Sequence, residues 1–240
     1  MNTIDALKVK IFADGADIKG ILKLCENPYI KGFTTNPTLM RKSNVKDYRG
    51  FALEIINIVK GRPVSFEVFS DEFELMEKQA LQIASWGANV YVKIPITNTR
   101  GEDAGPLVRR LTKAGIKVNV TALTTPMQVE HIVNYLAEDT PSYVSVFAGR
   151  IADTGRDPVP MMAESMQFLR KRPSAELIWA SPRELLNIFQ AESVGCHIIT
   201  VSNDLLAKLP IIGKDLTEYS METVQMFYRD AVQAGLNIEV

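Results

Sequence analysis

Cysteine is scarce. Cys25 and Cys196 are the only two among 240 residues, too few and too far apart for a disulfide framework or a thiolate zinc site. Histidine is equally rare: His131 and His197 stand apart, so the chain has no close His/Cys cluster of the kind a metal site favours. Charge of one sign is missing too. The net charge is -1 and no basic run is present, which argues against nucleic acid as a partner. No apolar stretch reaches the length of a membrane span, and the opening "MNTIDALKVK" lacks the apolar core of a secretion signal. A reduced, soluble, cytoplasmic protein with no membrane partner, metal or cofactor is expected. The turn "ADGAD" (13–17) is not the glycine-rich GxGxxG of a dinucleotide fold.

What the chain does have is alternation. Eight short apolar, β-branched runs recur: 9–14, 32–36, 63–69, 89–95, 117–123, 143–149, 176–181 and 197–202. Amphipathic stretches separate them, clearest at 71–86, 158–170, 183–193 and 218–234. Asp71 and Ser181 stand where helix N-caps belong, and Pro182 suits a first helical position. Eight strands alternating with helices predict parallel pairing closed into one (β/α)8 barrel domain over residues 1–240. An open doubly wound sheet is the rival. Residues 204–240 form a C-terminal helical extension, carrying Met226, Phe227 and Val232, that packs on its own barrel or on a neighbouring subunit.

Side chains alternate faces along a strand, so one face of each meets the helices and the other points into the barrel. Ile11 and Ala13, Phe66 and Val68, Val92 and Ile94, Val118 and Val120, and Val144 and Val146 read as the helix-facing sets. On the seventh run Ile178 and Ala180 take that role, opposite Trp179 and Ser181. The polar residues then converge on the interior: Asp14, Thr34, Asn36, Glu67, Lys93, Thr121, Ser145 and Ser181, with Phe147 beside them. Most lie toward the carboxyl ends of the strands, where barrel enzymes keep their catalytic groups.

Lys93, in "NVYVKIPIT" (89–97), is the residue of greatest consequence. A lysine in a water-poor pocket loses stabilisation of its charge, and the neutral amine attacks carbonyl carbons. Pairing with Glu67 or Asp14 is the plainer alternative. Asp14 and Glu67 are the acid–base candidates. Arg150 and Arg183, after the sixth and seventh strands, suit an anionic substrate group, and a helix opening at Ser181 would add backbone amides to it. His131 reads as a surface residue, and His197 as lying away from the catalytic end.

"GFTTNPTLM" (32–40) and "VYVKIPIT" (90–97) resemble the signatures of the transaldolase family, whose compact branch includes the fructose-6-phosphate aldolases. "VSFEVF" (64–69), "KVNVTAL" (117–123), "VSVFAGRIAD" (144–153) and "IWASPRELLNIF" (178–189) continue the resemblance over nearly the whole chain. It implies that Lys93 forms an imine with a ketose phosphate and that Asp14 moves the hydroxyl proton. Glu67 and Thr121 would handle a relaying water. Thr34, Asn36 and Ser181 would hold the three-carbon fragment, and Ser145, Arg150 and Arg183 would surround the phosphate. The glutamate at Glu67 and the phenylalanine at Phe147 resemble transaldolases; the aldolase branch carries glutamine and tyrosine there. A tyrosine could protonate the enamine and release free dihydroxyacetone, whereas Phe147 cannot. Sugar phosphates are the implied partners, and a homo-oligomer is implied because compact members form rings. The loop 97–107 departs from the family pattern, leaving the acceptor open. An aldolase and a silent sugar-phosphate-binding barrel remain the alternatives.

Overall fold

The computed structural model describes residues 4–238. Its centre is a closed barrel of eight parallel strands in sequential order, the expected (β/α)8 architecture. The strands are β1 (Lys10–Asp14), β2 (Ile30–Thr34), β3 (Val64–Glu67), β4 (Val90–Pro95), β5 (Val118–Leu123), β6 (Ser142–Val146), β7 (Ala175–Trp179) and β8 (Ile198–Ser202). Between β1 and β4 run α1 (Ile18–Cys25), α2 (Pro37–Lys42), α3 (Tyr48–Ile58) and α4 (Phe73–Ala84). Next come α5 (Gly105–Lys113), α6 (Pro126–Val133), α7 (Ala148–Ala152), α8 (Pro158–Leu169) and α9 (Leu186–Ser193). Beyond β8 lie α10 (Asn203–Leu206) and α11 (Leu216–Gln233). None of the described helices is long and apolar enough to cross a membrane.

Local chemistry starts many of these helices. Asp17, Asn36, Asp47, Asp157 and Asp215 each accept a hydrogen bond from a first-turn amide, and Thr125 closes a capping box with Gln128. Two expected caps are corrected. Asp71 does not cap α4; its carboxylate instead takes the amide and hydroxyl of Thr99. Ser181 does not open α9, which begins five residues later without a side-chain cap. Residues 181–185 are spent on a turn, with Ser181 in the left-handed region at φ 61°.

The face assignment holds on β1, β3, β4, β5 and β6, whose expected outer residues all join the layer between sheet and helices. It is inverted on β7. Leu177 and Trp179 face the helices, while Ile178 and Ala180 face the barrel axis. Glu176 at the start of β7 shares the parity of Ile178, but around Trp179 both faces are apolar, and the indole finds its room in the wider outer layer. The interior below the cavity is plugged by Phe12, Tyr91, Tyr143, Ile178 and Ile198. Tyr91 and Tyr143 stack at 3.9 Å, and Phe12 meets Tyr143 edge-on at 5.8 Å. A Cβ at Gly32 would lie 2.6 Å from the Phe12 ring, so only glycine lets that ring cross the axis. This plug closes one end, and the site opens at the other.

Candidate active site

Lys93 sits two-thirds of the way along β4 and is 6% exposed. Its neighbour across β3 is Glu67 and across β5 is Asn119. The ammonium lies 3.1 Å from Glu67 Oε2 and donates to the Thr35 carbonyl at 2.9 Å. Lys93 is thus buried, as a water-poor pocket requires, and is also paired with Glu67, the plainer alternative that the sequence offered. Tyr48 in turn donates its hydroxyl to the Glu67 carbonyl at 2.9 Å, fixing the backbone that carries the carboxylate.

Asp14, the last residue of β1, accepts a hydrogen bond from Thr34 Oγ1 at 2.7 Å. Burial pushes its carboxyl above the usual carboxylate range; the Lys93 charge and the Thr34 hydrogen bond oppose that rise, and the Glu67 charge adds to it. The two carboxyls thus differ in surroundings, Glu67 being in contact with the amine and Asp14 held by a hydroxyl.

Strand β5 bulges just past Thr121. Val120 pairs with Val144 and Leu123 with Val146, so β5 spends one extra residue there. The extra residue, Ala122, takes φ 67°. Thr121 faces the cavity while Leu123 is buried in the outer layer, an arrangement strict alternation forbids. Thr121 Oγ1 is buried with no protein partner among the described residues.

These groups line one cavity of about 350 Å³ at the carboxyl ends of the strands. It collects Asp14, Thr34, Asn36, Glu67, Lys93, Thr121, Ser145, Phe147, Arg150 and Ser181. Asn36 lies just past β2, where its Oδ1 caps α2. Ser145 donates to Asn119 Oδ1 at 2.7 Å, and Asn119 donates to Ser65 Oγ at 3.0 Å. Arg150 lies over the Phe147 ring at 5.6 Å and has no ion-pair partner among the described residues. Arg183 is the exception among the expected site residues. It does not line the cavity; its guanidinium is tied to Asp153, with the Gly149 carbonyl at 3.4 Å.

Two polar strand residues of the lining, Asn119 and Thr200, were not among the expected site residues. Asn119 shares the inward parity of Thr121 and could have been selected on that ground. Thr200 sits on β8, to which no parity was assigned. The unusual loop 97–107 supplies no lining residue. It is strapped to the start of α4 through Thr99 and Arg100, with Arg100 paired to Asp71, Glu72 and Glu102. His131 is half exposed and paired with Asp103, and His197 accepts the Leu177 amide. No group of three potential metal ligands is arranged around one point among the described residues.

Comparison with known proteins agrees with this geometry. The family described as Transaldolase/Fructose-6-phosphate aldolase matches residues 11–239. A protein named probable transaldolase from Methanococcus vannielii is 34% identical over 215 residues, covering 89% of this chain and 94% of its own. A probable transaldolase from a Thermoanaerobacter species is 34% identical over 231 residues, 96% of this chain and all of its own. Among solved structures, a HpcH/Hpal aldolase/citrate lyase family protein from Burkholderia cenocepacia superposes with TM-score 0.59 at 13% identity, covering 91% of this chain and 95% of its own. That likeness speaks for the barrel alone. With the motifs, the cavity and relatives spanning most of its length in accord, the chain belongs to the transaldolase/fructose-6-phosphate aldolase family.

Proposed function

We propose that this cavity transfers a dihydroxyacetone unit between sugar phosphates through an imine on Lys93. The observation that carries the reading is the amine itself. Lys93 Nζ is buried in the cavity, in contact with a carboxylate and within the field of a second one. Transfer of one proton from the ammonium to Glu67, 3.1 Å away, frees the lone pair to attack the ketone carbon of fructose 6-phosphate or sedoheptulose 7-phosphate. Glu67 and the unpartnered Thr121 hydroxyl orient the water that carries protons while the carbinolamine loses hydroxide and becomes the iminium.

Asp14 then removes the proton from the hydroxyl beside the scissile bond. The O–H electrons form the carbonyl of the departing aldehyde, and the carbon–carbon electrons pass into the iminium to give an enamine. An incoming aldose phosphate reverses these movements: the enamine attacks its aldehyde, and Asp14 returns the proton to the new alkoxide. Water finally hydrolyses the imine. Thr34, Asn36 and Ser181 hold the three-carbon fragment, and Ser145 and Arg150 serve the anionic end. Arg183 is assigned to the same end in a supporting place, since Asp153 occupies it at rest. Phe147 in the wall offers no proton to the enamine, which favours transfer over release of free dihydroxyacetone. We also assign the exposed face of α11 to a second copy of the chain.

Borohydride reduction with fructose 6-phosphate tests the covalent step. A mass increase on the Lys93 peptide is expected, and Lys93→Met should retain less than roughly a thousandth of wild-type turnover while staying folded. An unmodified Lys93 peptide rules the mechanism out. Cleavage that runs as fast without erythrose 4-phosphate as with it rules out transfer.

A further inference from the structure

Thr200 has no role in the steps above, yet it lines the same cavity. It lies on β8, 6% exposed, with its Oγ1 2.5 Å from Thr34 Oγ1. Thr34 Oγ1 also donates to Asp14 Oδ1 at 2.7 Å. A hydroxyl carries a single hydrogen. Because that of Thr34 is committed to the carboxyl, Thr200 must be the donor in the contact between the two threonines. A directed chain results, from Thr200 through Thr34 to Asp14.

We propose that Thr200 is a positioning residue for the proton-transferring carboxyl: by donating to Thr34 it fixes that hydroxyl and strengthens the bond that Thr34 gives Asp14. The proposal rests on the reading of Asp14 as the acid–base group of the transfer.

The physical reason is cooperativity. Hydrogen bonds in a chain polarise one another, and those ending on a charged acceptor are the stronger ones. Thr34 can keep its donation to Oδ1 whether or not the other carboxyl oxygen is protonated, so the chain has one polarity throughout. Its gain is larger for the carboxylate, and Thr200 therefore favours the ionised base. The charged groups that face Asp14 are Lys93 from β4 and Glu67 from β3. The strands flanking it, β2 and β8, contribute the neutral hydroxyls of Thr34 and Thr200. No alternative charge lies in the chain to compensate for the loss of Thr200.

Removing the hydroxyl should leave substrate capture alone and make the base harder to ionise. The test is the pH profile of transfer in Thr200→Val, which keeps the branched shape. The acid limb of kcat is expected to move up by about half a unit to one unit, a three- to tenfold loss at the acid end that fades above the limb. KM should hold, and Thr200→Ser should return the wild-type profile. Borohydride trapping of fructose 6-phosphate on Lys93 is measured in the same preparations and should be undiminished. A profile superimposable on wild type overturns the proposal, as does a uniform loss that serine does not restore. Absence of trapping in the wild-type enzyme would instead overturn the imine reading beneath it. If valine prevents folding, Thr200→Ala deletes the same hydroxyl without the branch and is judged by the same criteria.

Discussion

Burial raises the Asp14 carboxyl above its ordinary pKa, against the opposing Lys93 charge and Thr34 hydrogen bond and with help from Glu67. In the unfolded chain the same group titrates near 3.8. Between that value and the raised folded one, the folded protein binds more protons than the unfolded chain, so stability falls as pH rises through the window and stays lower above it. Asp14→Asn removes the buried charge and keeps an oxygen for Thr34. Its Tm should exceed wild type at pH 7, by about 2–4 °C for each kcal/mol relieved, and the gain should vanish once pH drops below the unfolded value. Thermal melts across that range, with transfer assays on the same variant, check this; an unchanged neutral Tm would mean that the charge carries no penalty. The two arginines also separate at this scale. Arg150 lines the cavity without an ion-pair partner among the described residues, whereas Arg183 is tied to Asp153. Arg150→Ala should raise KM for phosphorylated sugars about 10- to 100-fold, the usual worth of a hydrogen bond to a charged group. Arg183→Ala should raise it less. Steady-state kinetics on both variants decide, and an equal or reversed order would place the phosphate nearer Arg183.

Two junctions between elements hold the site. At the β6–α7 junction, Gly149 lies so close to the end of β7 that a Cβ would fall 1.5 Å from the Ser181 carbonyl oxygen. Backbone cannot yield as a side-chain tip can. Gly149→Ala should cost about 1–3 kcal/mol or more in urea unfolding and raise KM as well, because Ser181 and Arg150 flank the point that must shift. Near-wild-type values of both would show that the two chains part freely. The other junction is the bulge at Ala122, which turns Leu123 to the outer layer just past the cavity-facing Thr121. Neither device was legible in the sequence. "VNVTAL" alternates without a visible break, and "WASPR" reads as a strand end running into a helix. Both depend on a left-handed residue that is not glycine, Ala122 and Ser181, so the usual marker of such a turn is missing.

The whole chain divides into a packed barrel and a projecting arm. Leu205, Leu206 and Leu209 are buried beside β8, so the start of the C-terminal segment packs on the barrel. Helix α11 does not: none of its 18 residues is buried, and Tyr219, Met221, Val224, Phe227, Tyr228 and Val232 are all exposed. Soluble monomers rarely leave so much contiguous apolar surface in water. Removing residues 214–240 should therefore leave a folded barrel of lower mass by sedimentation, against a wild type that sediments as an oligomer. A wild type that sediments as a monomer would refute the assignment of α11 to a second copy.

At this scale the sequence by itself determined the eightfold alternation, the apolar outer faces of five strands, and the convergence of Asp14, Glu67, Lys93, Thr121 and Ser145 on one end of the barrel. Local periodicity and parity carry that much, because a strand's two faces meet different solvents. The tertiary structure alone decided that Lys93 rests against Glu67 and that Arg183 is held by Asp153. It also decided that Trp179 faces outward and that Thr200 joins the site. Those facts follow from the barrel's closure, which sets side by side residues far apart in the chain, and from packing volumes that no single strand's pattern contains.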